Sequence, residues 1–202
     1  MMTDPKGLLL VTMEPPASLE EEFNDWYDTE HFPQRRALPG FETASRWVCL
    51  AGWPRWLAIY DLASTAALAT PEYHAVSAAN STPWSKRILP RTMGRQRVVA
   101  RQILPGNALT LPLGQAAGLL LARYHPSGEE TPFAEALRAA AQALPDALQA
   151  RVFRQSESEK TSLWLIAEFA APQGFEPLRS ALASVAGIGA QMFNLYAPYF
   201  RG

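Results

Sequence analysis

Short stretches of this chain occur twice, and a chain that repeats itself is constrained to use one folding plan twice. Gly7-Leu8-Leu9-Leu10 returns as Gly118-Leu119-Leu120-Leu121, and Trp56-Leu57-Ala58-Ile59-Tyr60 returns, more loosely, as Trp164-Leu165-Ile166-Ala167-Glu168. The two matches share nearly the same offset, so the chain divides into halves of about a hundred residues. In the first half, residues 7–13 form an apolar run of strand length that Glu14-Pro15-Pro16 ends. Ser18 and Glu21 then supply a capping box for a helix. Pro39-Gly40 introduces a strand over 41–50, and Gly52 with Pro54 separates it from another over 55–62. Thr70-Pro71 and Thr82-Pro83 each place proline directly after an N-cap residue, the signature of a helix start. An alternating strand over 95–104 closes the half. The second half reads as strands near 118–124, 148–155, 162–169 and 189–197, with helices near 132–144 and 175–186.

This order, strand-helix-strand-strand-helix-strand, predicts an α+β fold of two tandem ferredoxin-like (βαββαβ) repeats. Their antiparallel sheets are expected to pack face to face, each covering the other's open side. The expected division is a first repeat over 1–105 bearing the candidate pocket, a connector over 106–117 and a second repeat over 118–202. Pro105-Gly106 through Pro112-Leu113-Gly114 marks the connector, rich in turn formers and free of charge. The first half carries the longer link between its third and fourth strands, and extra length in one copy is where function is usually added.

Composition excludes several classes. Of 202 residues, 48% are apolar and 18% charged, with six Trp, nine Phe and six Tyr, too much packing material for a disordered chain. No apolar run approaches the length of a membrane span, and the run at Leu8–Val11 is too short for a signal peptide, so a cytoplasmic protein is the expectation. Cys49 is the sole cysteine, which rules out an intrachain disulfide. The net charge of −1 hides a local bias. Between Tyr73 and Gly128 there is no acid, while Lys86, Arg87, Arg91, Arg95, Arg97, Arg101 and Arg123 fall there; residues 14–42 carry eight acids against Arg35 and Arg36. A nucleic-acid partner is not expected, because there is no basic domain and no known module. Either the two biased segments pair with each other, or the basic one meets a small anion.

The first helix carries the candidate chemistry. Leu19, Phe23, Trp26 and Tyr27 form one apolar stripe at 100° per residue, with Glu30 near its middle and His31 on its shoulder. Asp25 and Asp28 fall on the far side, as solvated charges. A carboxylate in an apolar stripe needs a partner. It either forms a salt bridge to a strand arginine such as Arg46, or it orients His31 and tunes its basicity for proton transfer.

Trp26-Tyr27-Asp28-Thr29-Glu30-His31-Phe32-Pro33, followed by Leu38-Pro39-Gly40-Phe41 and Ala44-Ser45-Arg46-Trp47, resembles the EthD-like branch of the dimeric α/β-barrel superfamily. The resemblance covers residues 7 to about 105; beyond, it rests on the internal repeat. It implies a ligand pocket between sheet and helices, with His31 and Glu30 as catalytic candidates and Trp26, Arg46, Tyr60 and Trp84 as substrate-binding candidates. The implied ligand is a small apolar or aromatic metabolite, and the implied chemistry is cofactor-free: isomerase, cyclase or lyase-type proton transfer, or a monooxygenase-like reaction. A protein that only binds or carries the ligand, with a vestigial pocket, is the competing expectation. Relatives in the superfamily also include haem proteins, but in the second half only His125 offers an axial ligand, so haem is not expected. His74 and His125 are read as surface and loop residues, and no metal site is expected. An exposed edge strand would leave room for a symmetric homodimer.

Overall fold

The computed structural model describes residues 4–112, 114–156 and 161–201. Leu113, within the expected connector, lies outside them. Nine strands run in chain order as β1 (Gly7–Glu14), β2 (Phe41–Ala51), β3 (Trp56–Leu62), β4 (Met93–Leu104), β5 (Gly118–Tyr124), β6 (Ala147–Ser156), β7 (Thr161–Phe169), the two-residue β8 (Ser184–Val185) and β9 (Ile188–Pro198). Neighbours in the sheet follow the order β2-β3-β1-β4-β6-β7-β5-β9, and β9 pairs back onto β2. Every pairing is antiparallel.

That closure corrects the expected fold class. Two tandem ferredoxin-like repeats with separate sheets facing each other would leave β2, β4, β6 and β9 as edges with unpaired backbone groups. Instead β4 joins β6 through Arg101↔Arg154 and Gln102↔Phe153, and β9 joins β2 through Val48↔Ala197 and Cys49↔Tyr196. The result is one closed, eight-stranded antiparallel β-barrel, which satisfies edges that facing sheets cannot. Helices are few and short: α1 (Glu20–Trp26), α2 (Phe32–Arg36), α3 (Pro71–Ala75), α4 (Pro83–Ile88), α5 (Glu130–Gln142) and α6 (Phe175–Leu182). Among the described residues no helix is long and apolar enough to cross a membrane.

Strand alternation sorts the side chains into three cores. Leu8, Leu10, Leu57, Ile59, Leu119, Leu121, Phe153, Trp164, Ile166 and Tyr196 fill the barrel from both halves. Leu9, Met13, Ala58, Tyr60 and Leu62 point outward and pack under Phe23, Trp26 and Tyr27 of the first helical arm. Leu120, Ala122, Leu163 and Leu165 do the same under Phe133, Leu137 and Leu178. Inside the barrel Arg151, fully buried, ion-pairs with Asp61 at 2.7 Å and reaches Glu168 at 3.4 Å. The backbone N–H groups of Thr110 and Leu111 donate to these two carboxylates, at 2.6 and 3.0 Å. The connector thus stoppers the barrel.

Local expectations fared unevenly. Thr70 and Thr82 cap α3 and α4, accepting from the N–H groups of Tyr73 and Ser85. The Ser18 capping box does not form: a 3-10 turn over Ala17–Leu19 precedes α1, and Leu19, without a side-chain cap, holds the N-cap position.

Candidate functional site

The excursion between β3 and β4, residues 63–92, is long enough to arch over the outer face of the barrel and enclose a cavity of about 490 Å³. Such a volume suits a small organic ligand. Its floor is the outward face of β1 (Leu9, Val11, Met13) with Tyr60 of β3 and Arg95 and Arg97 of β4. His31 and Arg35 form one wall, and Tyr73, Ser77, Ser85, Lys86 and Leu89 of the excursion form the roof.

His31 reaches the cavity because α1 does not continue as an ordinary helix. Residues Tyr27–His31 form a π-helical turn, in which the N–H of Phe32 bonds to the carbonyl of Tyr27, five residues back. Side chains five apart then share a face. The His31 ring stacks on Trp26 with centroids 4.5 Å apart and an interplanar angle of 30°. His31 Nδ1 is buried with no hydrogen-bond partner. Burial, together with the guanidinium charges of Arg35 and Arg46, lowers its pKa to about 3, so the ring is neutral at physiological pH.

Tyr60 is 1% exposed. Its hydroxyl sits beside that of Tyr27 without a well-formed hydrogen bond and is buried without a partner. Burial drives its pKa well up, so it stays a donor. A buried hydroxyl without a partner costs stability, and Tyr60 is one of the residues that line the cavity. Arg35 is also buried: Nη1 donates to Ser77 Oγ (2.9 Å) and Nη2 to the Val76 carbonyl (2.8 Å). Arg97 Nη2 donates to Tyr73 Oη at 3.0 Å.

Of the candidate residues, the structure brings His31 and Tyr60 together on this cavity. Trp26 lies behind its wall, fully buried, its indole N–H donating to Ser85 Oγ at 3.1 Å. Glu30 does not meet His31 or Arg46; it accepts from Thr82 Oγ1 at 2.5 Å and so ties the helical arm to the roof. Arg46 lies off the cavity, paired with Asp28, donating to Asn24 Oδ1 (2.8 Å), and ringed by Tyr27, Trp56 and Tyr199 at 4.3, 5.1 and 4.5 Å. Asp28 is therefore an ion-pair partner rather than a solvated charge. Trp84 is also off the cavity and donates to Glu22 at 3.1 Å.

Sequence reading missed Arg35 and Tyr73. The partners that bury Arg35, Val76 and Ser77, lie more than forty positions later, where no local pattern points to them; Arg97 carried a signal, its place in the acid-free basic segment. Cys49 is half-buried with its pKa pushed up to about 11, which makes it a poor nucleophile. His125 Nδ1 lies 3.3 Å from the Thr161 carbonyl and 3.2 Å from Ser162 Oγ, beside β7 and off this cavity. Among the described residues no group of three or more His, Cys, Asp or Glu is placed to hold a metal.

No protein-family model matches the sequence, and no curated protein matches it. Solved structures do share the fold. An anthrone oxidase-like protein superposes with a TM-score of 0.63 at 10% identity, over 98% of this chain and 92% of its own. A protein described as a putative chlorite dismutase gives 0.61 at 9% identity, over 98% and 96%. A putative monooxygenase from Lactobacillus acidophilus NCFM gives 0.58 at 7% identity, over 97% and 94%. At these identities the likeness defines a barrel fold common to all of them, and chemistry does not follow from fold.

Proposed function

We propose that the cavity binds a small apolar or aromatic metabolite and that the protein carries out proton-transfer chemistry on it, of isomerase, cyclase or lyase type, using side chains alone. The observation that carries this reading is that a neutral imidazole and a tyrosine whose buried hydroxyl has no well-formed hydrogen bond, His31 and Tyr60, line one largely apolar cavity. His31 would take a proton from the ligand, and the Tyr60 O–H would donate to the ligand oxygen on which negative charge develops. Glu30 holds the roof rather than the base. The motif around Trp26–Pro33 supports a place near the EthD-like branch. The name of one fold neighbour, an anthrone oxidase-like protein, is in keeping with an aromatic ligand.

A second reading, a binding or carrier protein without turnover, is favoured by one observation: an imidazole with a pKa of about 3 is a weak base. A library of aromatic acids and lactones, screened for binding and for product, separates the two. On the first reading His31→Gln lowers turnover by roughly 10²-fold or more while the ligand still binds. Binding by the wild type without any conversion, unchanged by His31→Gln, establishes the second.

A further inference from the structure

The cavity contains a positive charge that the protein leaves uncompensated. Three arginines are buried among the described residues, Arg35, Arg46 and Arg151. Arg46 is paired with Asp28, and Arg151 with Asp61 and Glu168. Arg35, 6% exposed, has only neutral partners: the Ser77 hydroxyl, the Val76 carbonyl and the face of Tyr73, 5.1 Å from its guanidinium carbon. Lys86, Arg95 and Arg97 line the same cavity, and none of its lining residues is Asp or Glu. Among the described residues none of these four cations forms an ion pair. A cation removed from water is costly unless an opposite charge meets it. A guanidinium with donors to spare is shaped to meet a carboxylate.

We propose that the ligand of this cavity is a carboxylic acid bound as its anion, with the carboxylate beside Arg35 and the apolar body along Leu9, Val11 and Met13. This inference rests on the small-molecule reading above and adds the charge of the ligand to it. Tyr60 lies close enough for Arg35 and its hydroxyl to influence each other electrostatically, and its unpartnered O–H supplies a further donor to the same anion. Arg97, linked to Tyr73, raises the positive potential at the exposed side of the cavity.

The test uses matched pairs on the intact chain: 1-naphthoate against 1-naphthamide, and 4-phenylbutyrate against 4-phenylbutyramide, by calorimetric titration at low and moderate salt. The carboxylate of a pair is expected to bind at least tenfold more tightly than its amide, with the preference shrinking as salt rises. Arg35→Met should bring acid and amide within about twofold and, without ligand, should melt no lower than the wild type. Arg97→Gln should weaken the acid severalfold and leave the amide unchanged, and Tyr60→Phe should weaken the acid more than the amide. Equal binding of acid and amide to the wild type overturns the inference and leaves the small-molecule reading standing. Failure of both members of both pairs to bind overturns both. An Arg35→Met protein that melts several degrees lower yet keeps the acid preference makes Arg35 a strut of the roof, and the inference falls. If Arg35→Met does not fold, retention of the full preference by both Tyr60→Phe and Arg97→Gln overturns it equally.

Discussion

His31 is the residue on which folding and chemistry meet. Its pKa falls from about 6.5 in an unfolded chain to about 3 in the folded protein, chiefly through burial. Between those values the unfolded state binds more protons than the folded one, so stability rises with pH across that window. The slope from one such group reaches at most about 1.4 kcal/mol per pH unit. His31→Phe should flatten the rise in melting temperature between pH 4 and 6 relative to wild type, as read by differential scanning calorimetry; an unchanged profile would mean that the ring is solvated. The candidate pair of His31 and Glu30 was half legible. The histidine was readable from its motif, whereas the carboxylate's partner, Thr82, lies fifty-two positions away, where no local pattern can point to it.

The π turn explains where helical spacing misled. Counting 100° per residue gives Glu30 the middle of the apolar stripe, but the turn absorbs one extra residue, and that place passes to His31. Thr82 is the counterpart on the roof, capping α4 while donating to Glu30. Thr82→Ala should cost about 1 kcal/mol, which for a chain this long lowers the melting temperature by roughly 2–4 °C, and it should weaken ligand binding because the roof loses its tie to the arm. Glu30→Gln keeps an oxygen that accepts from Thr82, so stability should stay within about 0.5 kcal/mol. Chemical denaturation of both variants checks the pair. A large loss in Glu30→Gln would show that the carboxylate's charge matters to the fold.

At the scale of the molecule, the strand positions were legible from apolar runs and turn formers, while closure was not. Which edge meets which depends on contacts between residues about fifty (β4–β6) to a hundred and fifty (β2–β9) positions apart, and alternation reports a strand's faces without naming its neighbours. The buried ions were equally hidden: Asp61, Arg151 and Glu168 occupy inward strand positions that an alternation argument assigns to apolar side chains. They also connect the two halves of the chain. Arg151→Met would strand two carboxylates inside the barrel, at a cost of about 3–5 kcal/mol, or roughly 10 °C in melting temperature. Unfolding should remain a single transition, because Arg151 and the β4–β6 and β2–β9 seams bind the halves into one unit. Two resolved calorimetric peaks would contradict this. The two seams are short, Arg101–Leu104 of β4 on β6 and Trp47–Ala51 of β2 on β9, so residues 93–100 of β4 and 41–46 of β2 keep one strand edge outside the barrel's pairing.

The link from β3 to β4 passes over β1, a crossing that about a dozen residues can make; segment 63–92 uses more than twice that number. The surplus is what shelters the cavity: only the start of the segment, residues 63–65, lies near the β4–β6 seam, while Tyr73 to Leu89 arch over the outer face. Inheritance of the scaffold and invention of a new ligand preference are thereby separable tasks. A lineage, or a laboratory, could rewrite the cavity-lining positions of that stretch, leaving Ala67, Thr82, Ser85 and Ile88 to hold it down, and still inherit a barrel that closes.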